Sequence, residues 1–187
     1  MKKSLLLPSV IKLIQMNLPE FDFPIRKSPR ADFHDYGEGC YFITICTKGK
    51  RHYFGEIRNG EMFLSEIGRY ATFRLESINA HHPYAIVQIS VVMPNHIHAI
   101  IYISPNLNGG RITFRDPNMA YPLKRSPLAV IIGNYKQSVT MFAKKHNIEF
   151  GWQRSYHDHI IRGANDGNNI AAYIENNVSK WADDCFH

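Results

Sequence analysis

Cysteine is scarce in this chain. Cys40, Cys46 and Cys185 are the three among 187 residues, and no Cys-x-x-Cys pair occurs. That excludes a disulfide scaffold and a cysteine-rich zinc ribbon, and it suits a reducing compartment. No run reaches about 18 uninterrupted apolar residues, so no membrane span is expected. The phosphate-cradling patterns GxxxxGK[ST] and GxGxxG are missing, as are GxSxG, HExxH and an RNP1-type aromatic motif. Internal repeats and low-complexity tracts are absent. The opening residues 1–8 carry a basic tip before three leucines, as a signal peptide would. Pro8 and Lys12 interrupt that run, however, and no small-residue cleavage site follows. A soluble cytoplasmic protein is expected.

What is present reads as one globular domain with an extension. The chain is 44% hydrophobic and 20% charged, and it is long enough to bury a core without staples. Lys and Arg number 22 against 16 Asp and Glu, giving a formal charge of +6, which permits a polyanionic partner. Residues 1–38 hold Pro19, Pro24 and Pro29 among basic residues and form the expected N-terminal extension; 39–187 form the domain. Residues 105–127, with four prolines and two glycines, read as a long loop.

Within the domain, 40–47 is rich in β-branched and aromatic residues and predicts a central strand. Asn59-Gly60 closes a small hairpin. Leu64, Ile67, Ala71, Leu75 and Ile78 recur at helical spacing. Residues 84–93 and 96–103 predict two strands joined at Pro94-Asn95. Ser126-Pro127 opens a helix that ends near Lys144. A short strand is expected over 155–162. Asp166 is expected to cap a last helix bearing Ile170, Ile174, Val178 and Trp181. The order βαββαβ predicts an α+β, ferredoxin-like antiparallel sheet with helices on one face, plus an extra C-terminal helix.

Ten histidines is a high count, and their grouping is informative. His96 and His98 are two apart on a strand, so both imidazoles point to one face and can hold a metal ion or polarise a phosphate. The plain alternative for such a pair is a solvated sheet face. Tyr173 and Asn177 are one helical turn apart, which can set a phenol beside a carboxamide ligand. On spacing alone, Tyr173 more simply packs with Ile170 and Ile174, and Tyr135 and Tyr156 compete as nucleophiles. His157 and His159 repeat the alternating pattern on a second strand. Together with Arg154 and Lys136 they form a candidate DNA-phosphate or secondary site, or simply edge-strand polar residues.

Residues 91–98 (VVMPNHIH) resemble the histidine–hydrophobic–histidine motif of single-tyrosine HUH transposases. Residues 41–47, 131–140, 152–162 and 173–177 resemble further motifs of that group, in order, and the REP-associated tyrosine transposase branch is the nearest in pattern. The resemblance implies His96, His98 and Asn177 as ligands of a divalent metal, Mg²⁺ or Mn²⁺, and Tyr173 as the nucleophile. It implies single-stranded hairpin DNA as partner, cut through a 5′-phosphotyrosyl intermediate, with monomer and homodimer both open. One departure is Val178, where such sequences commonly carry proline. Hairpin binding without cleavage and hydrolysis by a metal-dependent nuclease are the alternatives.

Overall fold

A computed structural model describes residues 38–104, 107 and 126–183. Residues 1–37 of the expected extension, most of the 105–127 loop and Cys185 lie outside the described residues. Strand β1 (Gly39–Cys46) is central, as its composition predicts. It pairs antiparallel with β5 (His96–Ile103) on one side and β6 (His157–Ile160) on the other. Strand β4 (Ala85–Val92) pairs antiparallel with β5, giving the sheet order β4-β5-β1-β6. A separate hairpin, β2 (Gly55–Arg58) and β3 (Glu61–Leu64), turns at Asn59 and Gly60, both at positive φ, where an Asn-Gly turn is favoured.

Among the described residues four α-helices pack with these strands: α1 (Glu66–Glu76), α2 (Ile78–His81), α3 (Pro127–Lys145) and α4 (Ala164–Asn176). Ser65 and Ser126 cap α1 and α3, their hydroxyls accepting from Gly68 N at 3.1 Å and Ala129 N at 3.3 Å. The helical stripe expected from Leu64 to Ile78 is broken at Ser77, whose hydroxyl donates back to Phe73 O at 2.6 Å, and it resumes as α2. Strand β6 is shorter than 155–162. The carbonyls of Gln153 and Ser155 accept from Lys136 Nζ instead of joining a ladder. Asp166 is not the cap of α4: the helix opens after Gly163, and Asp166 sits in its first turn, accepting from Arg162 N at 3.0 Å.

Period-two alternation divides the sheet residues between two cores. Tyr41, Ile43, Ile45, Ile97, Ala99 and Ile101 face α1 and α3, meeting Leu75, Leu128, Ile131 and Val139 in the main core. On the other face, Cys40 and Ile100 meet Ile161 and Ile174, a small cluster that docks α4. His96 and His98 share the face of Ile100, so α4 and not the helix pair lies over them. Among the described residues, no helix is long and apolar enough to cross a membrane.

Candidate active site

The turn before β5 delivers the first histidine: Met93 N donates to His96 O at 2.9 Å, and Asn95 is buried beside it. His96 and His98 are 0% and 1% exposed, with ring centroids 4.4 Å apart. The solvated-face alternative is thereby overturned. Trp181 stacks on His96 at 6.0 Å and Phe42 lies against His98 at 5.2 Å, closing the pair off from water.

Burial pulls the His96 pKa down to about 3, with His98 and Lys50 adding repulsion, so the ring is neutral at physiological pH. Its Nδ1–H donates to the Asn95 carbonyl oxygen Oδ1 at 2.8 Å, which puts the lone pair on Nε2. His98 is tethered likewise: Nδ1 lies 2.9 Å from Thr44 Oγ1. Each imidazole is thus held through one nitrogen while the other faces the site, the arrangement used to orient metal-binding histidines.

Helix α4 supplies the other two residues. Tyr173 is 43% exposed, and its hydroxyl lies 3.2 Å from His98 Nε2. The core-packing alternative fails because each helical residue turns by about 100°. Ile174 goes into the small cluster while Tyr173 turns edge-on to Phe42, centroids 6.2 Å apart. Asn177 is 2% exposed, and its Oδ1 has no hydrogen-bond partner among the described residues. A buried acceptor left unsatisfied is costly, so this oxygen marks a place for a ligand. Val178 has a structural consequence. Proline there would disfavour α geometry at Asn177, whereas Asn177 holds φ −61°, ψ −42° and the chain carries on to Trp181.

Register places the secondary candidates. Thr44 pairs with His98 on one side and His157 on the other, so His98, Thr44 and His157 form a row on one face. His159 follows on that face opposite Phe42; it is exposed, with Nε2 2.9 Å from Asp166 Oδ2. Arg154 is exposed in the segment before β6. Lys136 is elsewhere: it lies 5.5 Å over Trp152, a residue packed against the main core. Burial lowers its pKa, and it serves the 153–155 segment. Tyr135 is buried, with its hydroxyl donating to Ala71 O at 3.1 Å, and burial raises its pKa. Tyr156 packs against the main core. Tyr173 alone of these three meets the histidine pair. Thr44, Phe42 and Trp181 are site residues that pattern reading missed, because their roles depend on register and on the path after α4. Asn95, directly before the first histidine, was the available clue.

Among the described residues no three His, Cys, Asp or Glu side chains converge as a metal site. The neutral His96, His98 and the Asn177 oxygen, which has no hydrogen-bond partner among the described residues, form a donor set that fits a divalent ion with positions open for other oxygens.

No family model matches the chain. A protein of Haemophilus influenzae (strain ATCC 51907 / DSM 11121 / KW20 / Rd), described as uncharacterized, is 35% identical over 164 residues, covering 85% of this chain and 91% of that one. Among solved structures, the REP-associated tyrosine transposase bound to a REP hairpin aligns with a TM-score of 0.53 at 16% identity, covering 85% of this chain and 74% of that one. The chain belongs to one family with the Haemophilus influenzae protein, and its fold is that of the REP-associated tyrosine transposase.

Proposed function

We propose that this protein is a transposase-like enzyme that cuts and rejoins single-stranded DNA by transesterification at Tyr173. The observation that carries this reading is the Tyr173 hydroxyl 3.2 Å from His98 Nε2, over a buried pair of imidazoles. An exposed phenol beside a closed polar site is suited to covalent attack, whereas a structural tyrosine would spend its ring in the core.

The reaction exchanges one phosphodiester for another. Tyr173 Oη bonds to the phosphorus as the bond to the 3′-oxygen breaks; the electron pair leaves on that oxygen, which takes a proton and becomes a 3′-hydroxyl. Phenols ionise at about pH 10, so Tyr173 must shed its proton to attack well, and its exposure lets water carry that proton away. The 5′-phosphotyrosyl bond keeps the phosphodiester energy, so the reverse step rejoins strands without ATP. A divalent ion, Mg²⁺ or Mn²⁺, held by His96, His98 and Asn177, would withdraw charge from the scissile phosphate. Asn95 and Thr44 orient the two imidazoles, and Trp181 and Phe42 keep bulk water off them.

The structurally similar transposase is bound to a REP hairpin, and we extend that ligand class to this chain. The row His98–Thr44–His157, with His159 and Arg154 beyond it, offers a path for the backbone of a strand leading to Tyr173. Hairpin oligonucleotides labelled at either end, incubated with Mn²⁺ and run on a denaturing protein gel, test the proposal. A band shift carrying the 3′-side label, lost in Tyr173→Phe, is expected. Cleavage without an adduct would favour a hydrolytic nuclease, and tight binding with neither product would favour hairpin recognition alone.

A further inference from the structure

On the far side of the sheet from His96 and His98, α1, α2 and α3 meet around a cavity of about 280 Å³. Its polar lining is one-sided in charge. Arg74 of α1, His81 of α2 and His82 just after it all face the space, with Asn134 and Tyr135 of α3 opposite. Among the described residues no carboxylate lines it.

The arginine is unsatisfied. Arg74 Nη1 donates to His81 Nε2 at 2.9 Å, but Nε is buried and makes no hydrogen bond among the described residues. A guanidinium normally sets that nitrogen against an anion or a carbonyl, because a buried N–H without an acceptor is costly. Tyr135 turns its hydroxyl to Ala71 O, and no hydrogen bond joins it to Arg74 Nε among the described residues. His82 is held at Nδ1, 3.0 Å from the Tyr84 hydroxyl. Burial, with repulsion from His81 and Arg74, lowers its pKa. The wall thus carries a buried guanidinium N–H without an acceptor and no carboxylate among the described residues, a combination that a bound anion would satisfy.

We propose that this cavity is an oxyanion site taking a phosphate group, with Arg74 as its principal ligand and His81 and Asn134 at its rim. The guanidinium presents parallel N–H donors suited to two phosphate oxygens. The volume exceeds that of a lone phosphate, so a phosphate attached to a sugar also fits. This assignment is independent of the chemistry proposed for Tyr173.

Titration of the full chain with inorganic phosphate tests it, read by the side-chain ¹H–¹⁵N resonances of His81 and His82, with sodium chloride at matched ionic strength as control. A saturable shift seen only with phosphate is expected, weakened about tenfold or more in Arg74→Gln and partly restored in Arg74→Lys. His81→Gln, at an exposed position, weakens it less and guards against a folding defect in the first variant. An unstructured single-stranded oligonucleotide that moves the same resonances in the wild type but not in Arg74→Gln identifies the ligand as a DNA backbone phosphate. Movement by phosphate alone identifies a free phosphate ligand. No saturable shift with phosphate, or one unchanged in a folded Arg74→Gln, overturns the site.

Discussion

Four side chains make up the proposed site, and Asn95 and Thr44 hold two of them. Thr44→Val keeps the shape of the side chain and removes the oxygen 2.9 Å from His98 Nδ1. It should lower Mn²⁺ affinity on the order of tenfold, measured by electron paramagnetic resonance, while circular dichroism stays unchanged. Tyr173→Phe moves in the opposite sense. The Tyr173 hydroxyl and a metal ion would meet His98 at the same nitrogen, Nε2, so this variant should bind Mn²⁺ at least as tightly as the wild type. A loss of Mn²⁺ binding in Tyr173→Phe would mean that the phenol is itself a ligand. Cys40 lies at the other end of the same face, where burial first and Asp166 second raise its pKa to about 12. Cys46 is buried as well. In a Cys185→Ser background the native protein should therefore leave Ellman's reagent uncoloured at pH 8, with both thiols reacting after denaturation. Fixed periods on a strand and a helix set His96 with His98 and Tyr173 with Asn177 on shared faces, but spacing alone favoured plainer readings, and their proposed roles came from the resemblance to single-tyrosine HUH transposases. Thr44 and Phe42 were not legible, since they reach the site through β1–β5 register, which no local pattern records.

Among the elements, α4 carries Tyr173 of the proposed site on a thin anchorage. Ile174 is its only buried residue, anchored against Cys40, Ile100 and Ile161. Ile174→Ala should cost about 2–4 kcal/mol of that docking. Hydrogen exchange should then show α4 amides losing protection while β1 and β5 keep theirs, and metal affinity should fall through Asn177. By contrast, α1 is seated by close backbone approach. A Cβ on Gly68 would sit 2.1 Å from Phe54 O, which no rotamer change relieves. Gly68→Ala should cost about 2 kcal/mol and lower the melting temperature by roughly 5 °C. The element order was legible from helical and strand periods, and β5 matches its expected bounds of 96–103. The exceptions have local causes: the Ser155 carbonyl, at the expected start of β6, accepts from Lys136 instead, and Ser77 bends the stripe that became α1 and α2.

For the whole molecule, the sheet separates the two proposed sites by its two faces, with the thin core under α4 on one side and the main core under α1 and α3 on the other. The formal charge of +6 adds a term that does not depend on sequence, so affinity for hairpin DNA should fall steadily as salt rises. Only the composition pointed there; the placement of the basic residues came from the fold. The central claim is that Tyr173 bonds covalently to DNA, and trypsin isolates it well, because the fragment 163–180 contains a single tyrosine. The most direct measurement is mass spectrometry of that fragment after reaction with a hairpin oligonucleotide and Mn²⁺ and nuclease trimming of the DNA. The account predicts a nucleotide adduct on Tyr173. Oligonucleotide cut with fragment 163–180 unmodified, or an adduct on another tyrosine, would contradict it.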